Sequence, residues 1–443
     1  VPLSKTGKAR SREKIDLLIV NADELVTLAG DNKKPRAGKQ MRDLEIIRNG
    51  ALAVREGRIV AVGKSPDIAK KYKAESIINA NDKTVLPGFV DPHTHLVFAG
   101  SREDEFQMRL QGMSYMEILN AGGGILRTVK ETRKANVEKL ADRGIKTLQT
   151  MLEHGTTTVE AKSGYGLTTK DELRILEVTQ RLNQLQPVDV VPTFMGAHAV
   201  PAEFQNNPQG YVNLIIDEMI PKVAEKKLAE FCDVFCERNV FNLEQTRHIL
   251  EAGKNSGLKP KIHADELSFL GGAELAASIG AFSADHMLFS SDDGMKAMAD
   301  KGVVGTLLPG AAFSLMSARC ADARGMIASG MPVALGTDFN PSCWLESQQL
   351  VIALACHLMK LTPAEAVTAA TINAAHAINR AQEVGSLETG KKADIIVLDV
   401  PNHKFLGYRF GVNLVEKVVK NGRVVVDKEA SRSEFRLLEE QNM

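Results

Sequence analysis

The sequence predicts an α/β protein: a parallel (β/α)8 barrel, TIM-like, joined to a small β domain built from both chain ends. Three observations lead there. Between about Thr84 and Asn379, eight short apolar runs bounded by Gly or Pro alternate with longer helical stretches, which argues for a closed parallel sheet. The flanking zones, 1–83 and 380–443, have a β-like pattern, yet neither alone holds enough strands to bury a core. Five histidines and one aspartate fall just past the ends of predicted strands, where barrel active sites are assembled.

Taken in order, the N-terminal zone holds the apolar run Ile15–Val20 and two strands, Ala51 to Val62, that meet at Glu56-Gly57. The barrel runs follow: Val85–Asp91, Thr157–Ala161, Val188–Phe194, Cys232–Phe235, Pro260–His263, Phe282–Asp285, Val303–Leu307 and Val333–Leu335. Lys170 to Gln184 is expected to be the crossover helix between the second and third. The longer stretch Phe98 to Gly155 is expected to supply extra helices over the barrel mouth. Thr362-Pro-Ala-Glu365 is a capping box with Pro at the first helical position, and it is expected to open an Ala-rich helix reaching about Asn379. In the C-terminal zone Ala393–Leu398 reads as a strand. Val415–Val419 and Val424–Val426 flank Asn421-Gly422, a pair suited to a type I′ turn because both central residues need positive φ.

Composition narrows the function. The chain has 443 residues, and 55 Lys+Arg balance 55 Asp+Glu, so the basic excess that holds a phosphate backbone is missing and no nucleic-acid partner is expected. Aromatics are 5%, too few for base-stacking surfaces. No run approaches the ~20 apolar residues of a membrane span. The start, Val1 to Lys14, is basic without an apolar centre, so no secretory signal is expected. Five scattered cysteines, Cys232, Cys236, Cys320, Cys343 and Cys356, make no disulfide framework and fit reduced thiols in the cytoplasm.

The chemistry lies with the histidines. His93 and His95 follow the first run and, as i and i+2 on an extended segment, project to one side. His198, His263 and His286 end the third, fifth and sixth runs, and Asp338 ends the eighth. Three imidazoles with one carboxylate, and a position left for water, suit Zn²⁺ or Fe²⁺ acting as a Lewis acid. A single strand-end histidine is usually a satisfied structural residue; ligand-type residues on several strand ends argue together. His154, His248, His357, His376 and His403 fall on helices or in the C-terminal zone and read as structural. Gly122–Gly124 follows a helix, where a dinucleotide fingerprint needs a preceding strand, so it reads as a hinge of the mouth-covering segment.

These residues carry a resemblance. Pro87-Gly-Phe-Val-Asp-Pro-His-Thr-His95, His263, His286, Thr337-Asp338 and Gly385-x4-Gly-Lys-x-Ala-Asp394 resemble the amidohydrolase superfamily across nearly the whole chain. Within it, the sequence is similar to the imidazolonepropionase family of histidine degradation. The carrying segments are His95-Leu-Val-Phe-Ala-Gly-Ser-Arg102, Ala121-Gly-Gly-Gly-Ile125, Lys162-Ser-Gly-Tyr-Gly-Leu167, Phe194-Met-Gly-Ala-His198, His263-Ala-Asp-Glu266 and Asp338-Phe-Asn-Pro341. The resemblance implies a metal-dependent barrel with a small β-sandwich from both chain ends, a substrate with a carboxylate tail, and a homodimer. By matched motif it implies that His93, His95, His263 and Asp338 hold the metal. Arg102, Tyr165 and His198 would bind substrate, with Glu266 beside the reacting bond and Asn340 and Ser342 on the product side. The family often has Pro-Gly-Thr or Pro-Gly-Ser where this chain has Pro341-Ser-Cys343, which puts a side-chain contact from Cys343 in question.

The residues fit that chemistry. Arg102 offers a planar fork for a carboxylate, and the Tyr165 hydroxyl could complete the clamp. Glu266 and Asp338 are the candidates to move protons around a metal-activated water, and His286 to orient that water or stabilise developing charge. Two-metal relatives commonly carry a carboxylated Lys at the end of the fourth strand; Phe231-Cys-Asp-Val-Phe-Cys-Glu-Arg238 has none, so one ion per subunit is expected, Zn²⁺ or Fe²⁺/Fe³⁺. Cys232 and Cys236 are the local candidates for a second ion, which is not expected. The resemblance implies a reaction that opens the cyclic amide of 4-imidazolone-5-propanoate to N-formimidoyl-L-glutamate. Two alternatives stay open: a ring deaminase of the same superfamily, which needs no cation for a carboxylate tail, and a non-catalytic scaffold on the same barrel.

Overall fold

Gly88 decides where the barrel begins. In the computed structural model, which describes residues 12–113, 117–118 and 122–430, the run Val85–Asp91 is not one strand. Thr84–Pro87 pairs with Ile395–Leu398 in one sheet, and Phe89–Asp91 pairs with Thr156–Lys162 in another. A Cβ at Gly88 would lie 2.3 Å from Thr157 Oγ1, so only glycine lets the chain pass this close from sheet to sheet.

The second sheet is the expected barrel: eight strands in sequential order, each parallel to the next. They are Phe89–Asp91, Thr156–Lys162, Asp189–Ala197, Phe231–Cys236, Lys259–Ala264, Ser283–His286, Val304–Leu307 and Val333–Leu335. Helices lie between them, including Thr169–Leu185, where the crossover was expected, capped by the Thr168 side chain. The stretch before the second strand holds helices Glu103–Leu110, Ile125–Lys134 and Val137–Glu153. Ala121, quoted with the triple glycine, lies outside the described residues.

Both chain ends build the remaining sheets. One has four strands, Glu13–Ala22, Gly50–Arg55, Arg58–Lys64 and Tyr72–Asn79. The other has six, in which Ile46–Ile47, Glu24–Val26 and Thr84–Pro87 lie side by side and join, through Thr84–Pro87 against Ile395–Leu398, to Val415–Lys420 and Arg423–Asp427. Leu17, Ile19, Leu52 and Val54 of the first share an apolar core with Val85, Ile395, Val397 and Val419 of the second. The alternate residues Ile396, Leu398 and Val418 join the barrel core, so the period-2 alternation of one strand serves two interfaces. Asn421 and Gly422 both have positive φ in the final hairpin, as the turn type requires.

One helix differs from the expectation. The capping box at Thr362 and Glu365 is present, but the Ala-rich stretch forms two helices, Pro363–Ala369 and Ile372–Ala377. The Ala370 carbonyl accepts from the Val90 N–H of the first barrel strand, and Thr371 Oγ1 donates to the Val367 carbonyl. These bonds take acceptors that a continuous helix would have used. No described helix is long and apolar enough to cross a membrane.

Candidate metal centre and substrate pocket

The barrel closes through the segments that carry the proposed ligands. The Asp338 N–H donates to the His93 carbonyl at 3.0 Å, and the His95 N–H to the Phe339 carbonyl at 2.8 Å. Three residues at or just past the C-terminal ends of strands, Asp265, His286 and Asp338, hold positive φ. For residues with a Cβ this is a sparsely populated conformation, of the kind that accumulates at functional sites. It turns the chain sharply there.

The histidines converge as their spacing suggested. Ring centroids lie 4.6 Å apart for His93 and His263, 5.4 Å for His93 and His95, and 5.5 Å for His95 and His263. Asp338 Oδ1 stands 3.4 Å from His93 Nε2 and 3.7 Å from His95 Nε2. His93 Nε2, His263 Nε2 and Asp338 Oδ1 are buried with no hydrogen-bond partner. Left so, each costs about 1–3 kcal/mol; a cation among them satisfies all three. The donor set of imidazole and carboxylate suits Zn²⁺ or iron. His93, His95 and His263 present atoms within 4.8 Å of one another, as do His93, His286 and Asp338, so His286 borders the same point.

The opposite ring nitrogens are fixed. His93 Nδ1 lies 2.6 Å from Asp285 Oδ2, and His263 Nδ1 lies 3.1 Å from Asp233 Oδ1. Nδ1–H donation to a carboxylate leaves the Nε2 lone pair for an ion. Burial pushes His95, His198, His263 and His286 downward, His198 to about 3, so these rings are neutral, as ligands and acceptors must be. For His93, burial and Lys162 push down, but Asp285 and Asp338 outweigh them and hold it up at about 9. A metal would displace that proton.

The substrate side is assembled around these rings. Tyr165 and His198 sit 5.2 Å apart, and His198 stacks on His95 at 4.7 Å with an interplanar angle of 16°. Gly164 allows this: a Cβ there would lie 2.8 Å from His198 Nδ1, which instead contacts the Gly164 carbonyl at 3.1 Å. The loop bearing Tyr165 is pinned by buried Glu172, which accepts the N–H groups of Gly164, Gly166 and Leu167 at 2.7–3.0 Å. Arg102 is only 8% exposed; its Nε and Nη2 donate to Glu105 at 2.9 and 2.6 Å. Glu105 also accepts the Gly124 N–H at 3.0 Å, tying the triple-glycine segment to the arginine.

Glu266 stands with Oε1 3.6 Å from His286 Nδ1. Burial, then the Asp338 charge, pushes its carboxyl up to about 8. Its loop is anchored by Asp265, which accepts the N–H groups of Leu270, Gly271, Gly272 and Ala273 at 2.9–3.2 Å. Asp338 itself is held below the usual carboxylate range: burial raises it, but the close approach of the His93 imidazolium outweighs that.

Asn340 folds the loop after the eighth strand. Its Oδ1 accepts from the Ser342 N–H and hydroxyl, both at 2.8 Å, and from the Cys343 N–H at 3.1 Å; its Nδ2 donates to the Asp338 carbonyl at 2.8 Å. The Cys343 thiol is buried and lies 3.6 Å from the Thr337 carbonyl. Cys232 packs against Gly253 and Cys236 lies beside Thr246, both on helix Leu243–Asn255, which directs the pair outward from the barrel interior.

Beneath the imidazoles lies a fully buried charge network that the sequence reading did not pick out: Glu160, Lys162, Asp233, Lys261 and Asp285. The available signal was a charged residue inside an apolar strand, as Asp233 stands in Phe231–Cys236.

A barrel with this His and Asp cluster at the C-terminal ends of its strands is the architecture of the metal-dependent amidohydrolases, and the amidohydrolase family profile matches residues 84–425. The folds of solved structures agree. An adenosine deaminase from Xanthomonas campestris with bound zinc superposes with a TM-score of 0.70 at 18% identity, covering 97% of this chain and 99% of that one. A 5-methylcytosine deaminase from Klebsiella pneumoniae gives 0.69 at 17% identity, covering 93% and 98%. Curated relatives are much nearer in sequence. An imidazolonepropionase from Geobacillus sp. (strain WCH70) is 56% identical over 93% of this chain and 98% of its own length. One from Alkaliphilus metalliredigens (strain QYMF) is 51% identical over 94% and 99%. The chain therefore belongs to the imidazolonepropionase family of the amidohydrolases.

Proposed function

We propose that this chain adds water across the cyclic amide of 4-imidazolone-5-propanoate, giving N-formimidoyl-L-glutamate in histidine degradation. The single supporting observation of most weight is identity above 50% to imidazolonepropionases over more than nine-tenths of the chain. Metal dependence follows from the family, and His93, His95, His263 and Asp338 are the residues that would hold the ion. Such an ion supplies Lewis acidity and lowers the pKa of a coordinated water toward ~7.

The chain's own groups divide the remaining work. Arg102 and the Tyr165 hydroxyl clamp the propanoate, Tyr165 staying a donor because burial raises its pKa. His198, with Nδ1 turned to Gly164, presents Nε2 to the ring. Asp338 stays ionised and accepts the proton of the attacking water. Glu266, its carboxyl raised, carries a proton at neutral pH and gives it to the ring nitrogen as the C–N bond breaks, with His286 orienting it. Two neighbouring carboxyls pushed in opposite directions make such a pair. Asn340 and Ser342 shape the product side of the cavity. Buried Cys343 contributes backbone there.

One ion per subunit, zinc or iron, a homodimer and a cytoplasmic setting complete the reading, with residues 1–87 and 380–443 forming the β-sandwich around a barrel that begins at Phe89. Elemental analysis combined with a spectroscopic assay for loss of the imidazolone ring tests it. One equivalent of metal with ring opening is expected; ammonia release from a nucleobase, or a metal-free and inert protein, would overturn it.

A further inference from the structure

We propose that Lys162 is a positioning residue for the metal centre: one buried ammonium holds the two carboxylates that aim His93 and His263, coupling ligand rings borne on different strands. The inference rests on the reading of the metal centre given above and deepens it.

Lys162 ends the second barrel strand and is fully buried. Its Nζ lies 2.6 Å from Asp233 Oδ2, 2.8 Å from Glu160 Oε2 and 3.3 Å from Asp285 Oδ2. The ammonium donates to Asp233 and pairs by charge with Glu160 and Asp285, so three carboxylates from three strands surround it. Asp285 Oδ2 is the same oxygen that lies 2.6 Å from His93 Nδ1. Asp233 turns its other oxygen, Oδ1, to His263 Nδ1. The ammonium is thus one carboxylate removed from two proposed ligands at once. Glu160 touches neither histidine; it bridges Lys162 to Lys261, whose Nζ lies 2.9 Å from Glu160 Oε1 and 3.0 Å from the Pro92 carbonyl.

Three carboxylates share this dry interior with two ammoniums. Removing Lys162 takes away the cation that Asp233 and Asp285 share; Asp285 keeps only the more distant Lys261, at 3.9 Å, and Asp233 loses its cation. Each carboxylate is then free to rotate, and rotation releases an imidazole from its fixed orientation. Lys162 is also a positive charge near the ion, so an ammonium that acted only as a charge would oppose metal binding. The sign of the effect separates the two roles.

The test titrates metal-free protein with Zn²⁺ against a chromophoric chelator, with thermal unfolding recorded for each variant. Lys162→Met and Glu160→Gln are expected to weaken zinc binding, by about 10- to 100-fold for the first and toward the lower end for the second. In an Asp233→Asn/Asp285→Asn background, Lys162→Met is expected to change zinc affinity by less than about threefold, because its effect runs through those carboxylates. Folded variants with unchanged affinity overturn the inference, as does tighter binding by Lys162→Met. If Lys162→Met does not fold, Glu160→Gln decides, since Gln keeps the shape of the side chain and touches no histidine. Wild-type protein that takes up no zinc overturns the metal-hydrolase reading and this inference with it. Wild-type protein that binds zinc beside unaffected variants overturns this inference alone.

Discussion

Arg102→Met separates the contact that Arg102 makes in the structure from the substrate role proposed for the same guanidinium. Nε and Nη2 of Arg102 bond Glu105, which is 1% exposed, so removing the cation strands a buried carboxylate. That costs about 3–5 kcal/mol of stability. The substrate carboxylate, by contrast, loses charge-assisted hydrogen bonds of about 2–3 kcal/mol in total. At about 1.4 kcal/mol per tenfold, kcat/KM falls by about 30- to 150-fold, chiefly through KM, with metal content unchanged. The double variant Arg102→Met/Glu105→Gln resolves the two effects. Gln keeps an acceptor for the Gly124 N–H while removing the stranded charge, so most of the stability returns. The loss in kcat/KM does not. The assays are the decay of imidazolone absorbance, urea unfolding and elemental analysis. A single variant with normal kcat/KM, or a double variant that regains both stability and kcat/KM, would show that Arg102 serves only Glu105.

Other outcomes follow from the same contacts. Glu365 accepts from Arg42, Arg324 and the Thr362 N–H; burial raises its carboxyl, but these partners, Arg324 first, bring it down to about 2 from an ordinary 4.5. A depressed carboxyl contributes stability that is complete above pH 4.5 and lost as the pH falls through 2. Both arginines are partly exposed, so Glu365→Gln is expected to cost about 2 kcal/mol at pH 7 and progressively less toward pH 3, read by urea unfolding. Glu172→Met orphans three buried N–H groups under the Tyr165 loop, and kcat/KM is expected to fall at least about tenfold with KM raised; unchanged KM would mean the loop holds its shape without the carboxylate. Stripping the metal with a chelator is expected to abolish turnover and lower Tm, both restored by Zn²⁺ or Fe²⁺, because an ion bound only by the folded state stabilises it. Differential scanning calorimetry with a parallel activity assay checks this, and a Tm indifferent to chelation would count against an ion at the buried His and Asp cluster.

How much of this was legible in the sequence depended on whether a residue's meaning is local. Strand ends are local: Gly and Pro punctuate apolar runs, so the barrel order and the positions of His93, His263 and Asp338 could be read directly. The hairpin at Asn421-Gly422 and the capping box at Thr362 were equally plain, because turn and cap chemistry is written in adjacent residues. Gly88 was harder. It looks like any glycine in an apolar run, and its role depends on Thr157, far along the chain. The break in the Ala-rich helix likewise needs Val90 to claim the Ala370 carbonyl, a bond no helical propensity foretells. The buried network is the extreme case. Glu160, Lys162, Asp233, Lys261 and Asp285 come from four strands, and each alone reads as an ordinary charge on a strand. Only barrel closure brings them under the imidazoles, where neither their number nor their signs are incidental. First contacts to an ion announce themselves by residue type. The groups that aim those contacts are ordinary side chains, and their function appears only when the fold assembles their partners.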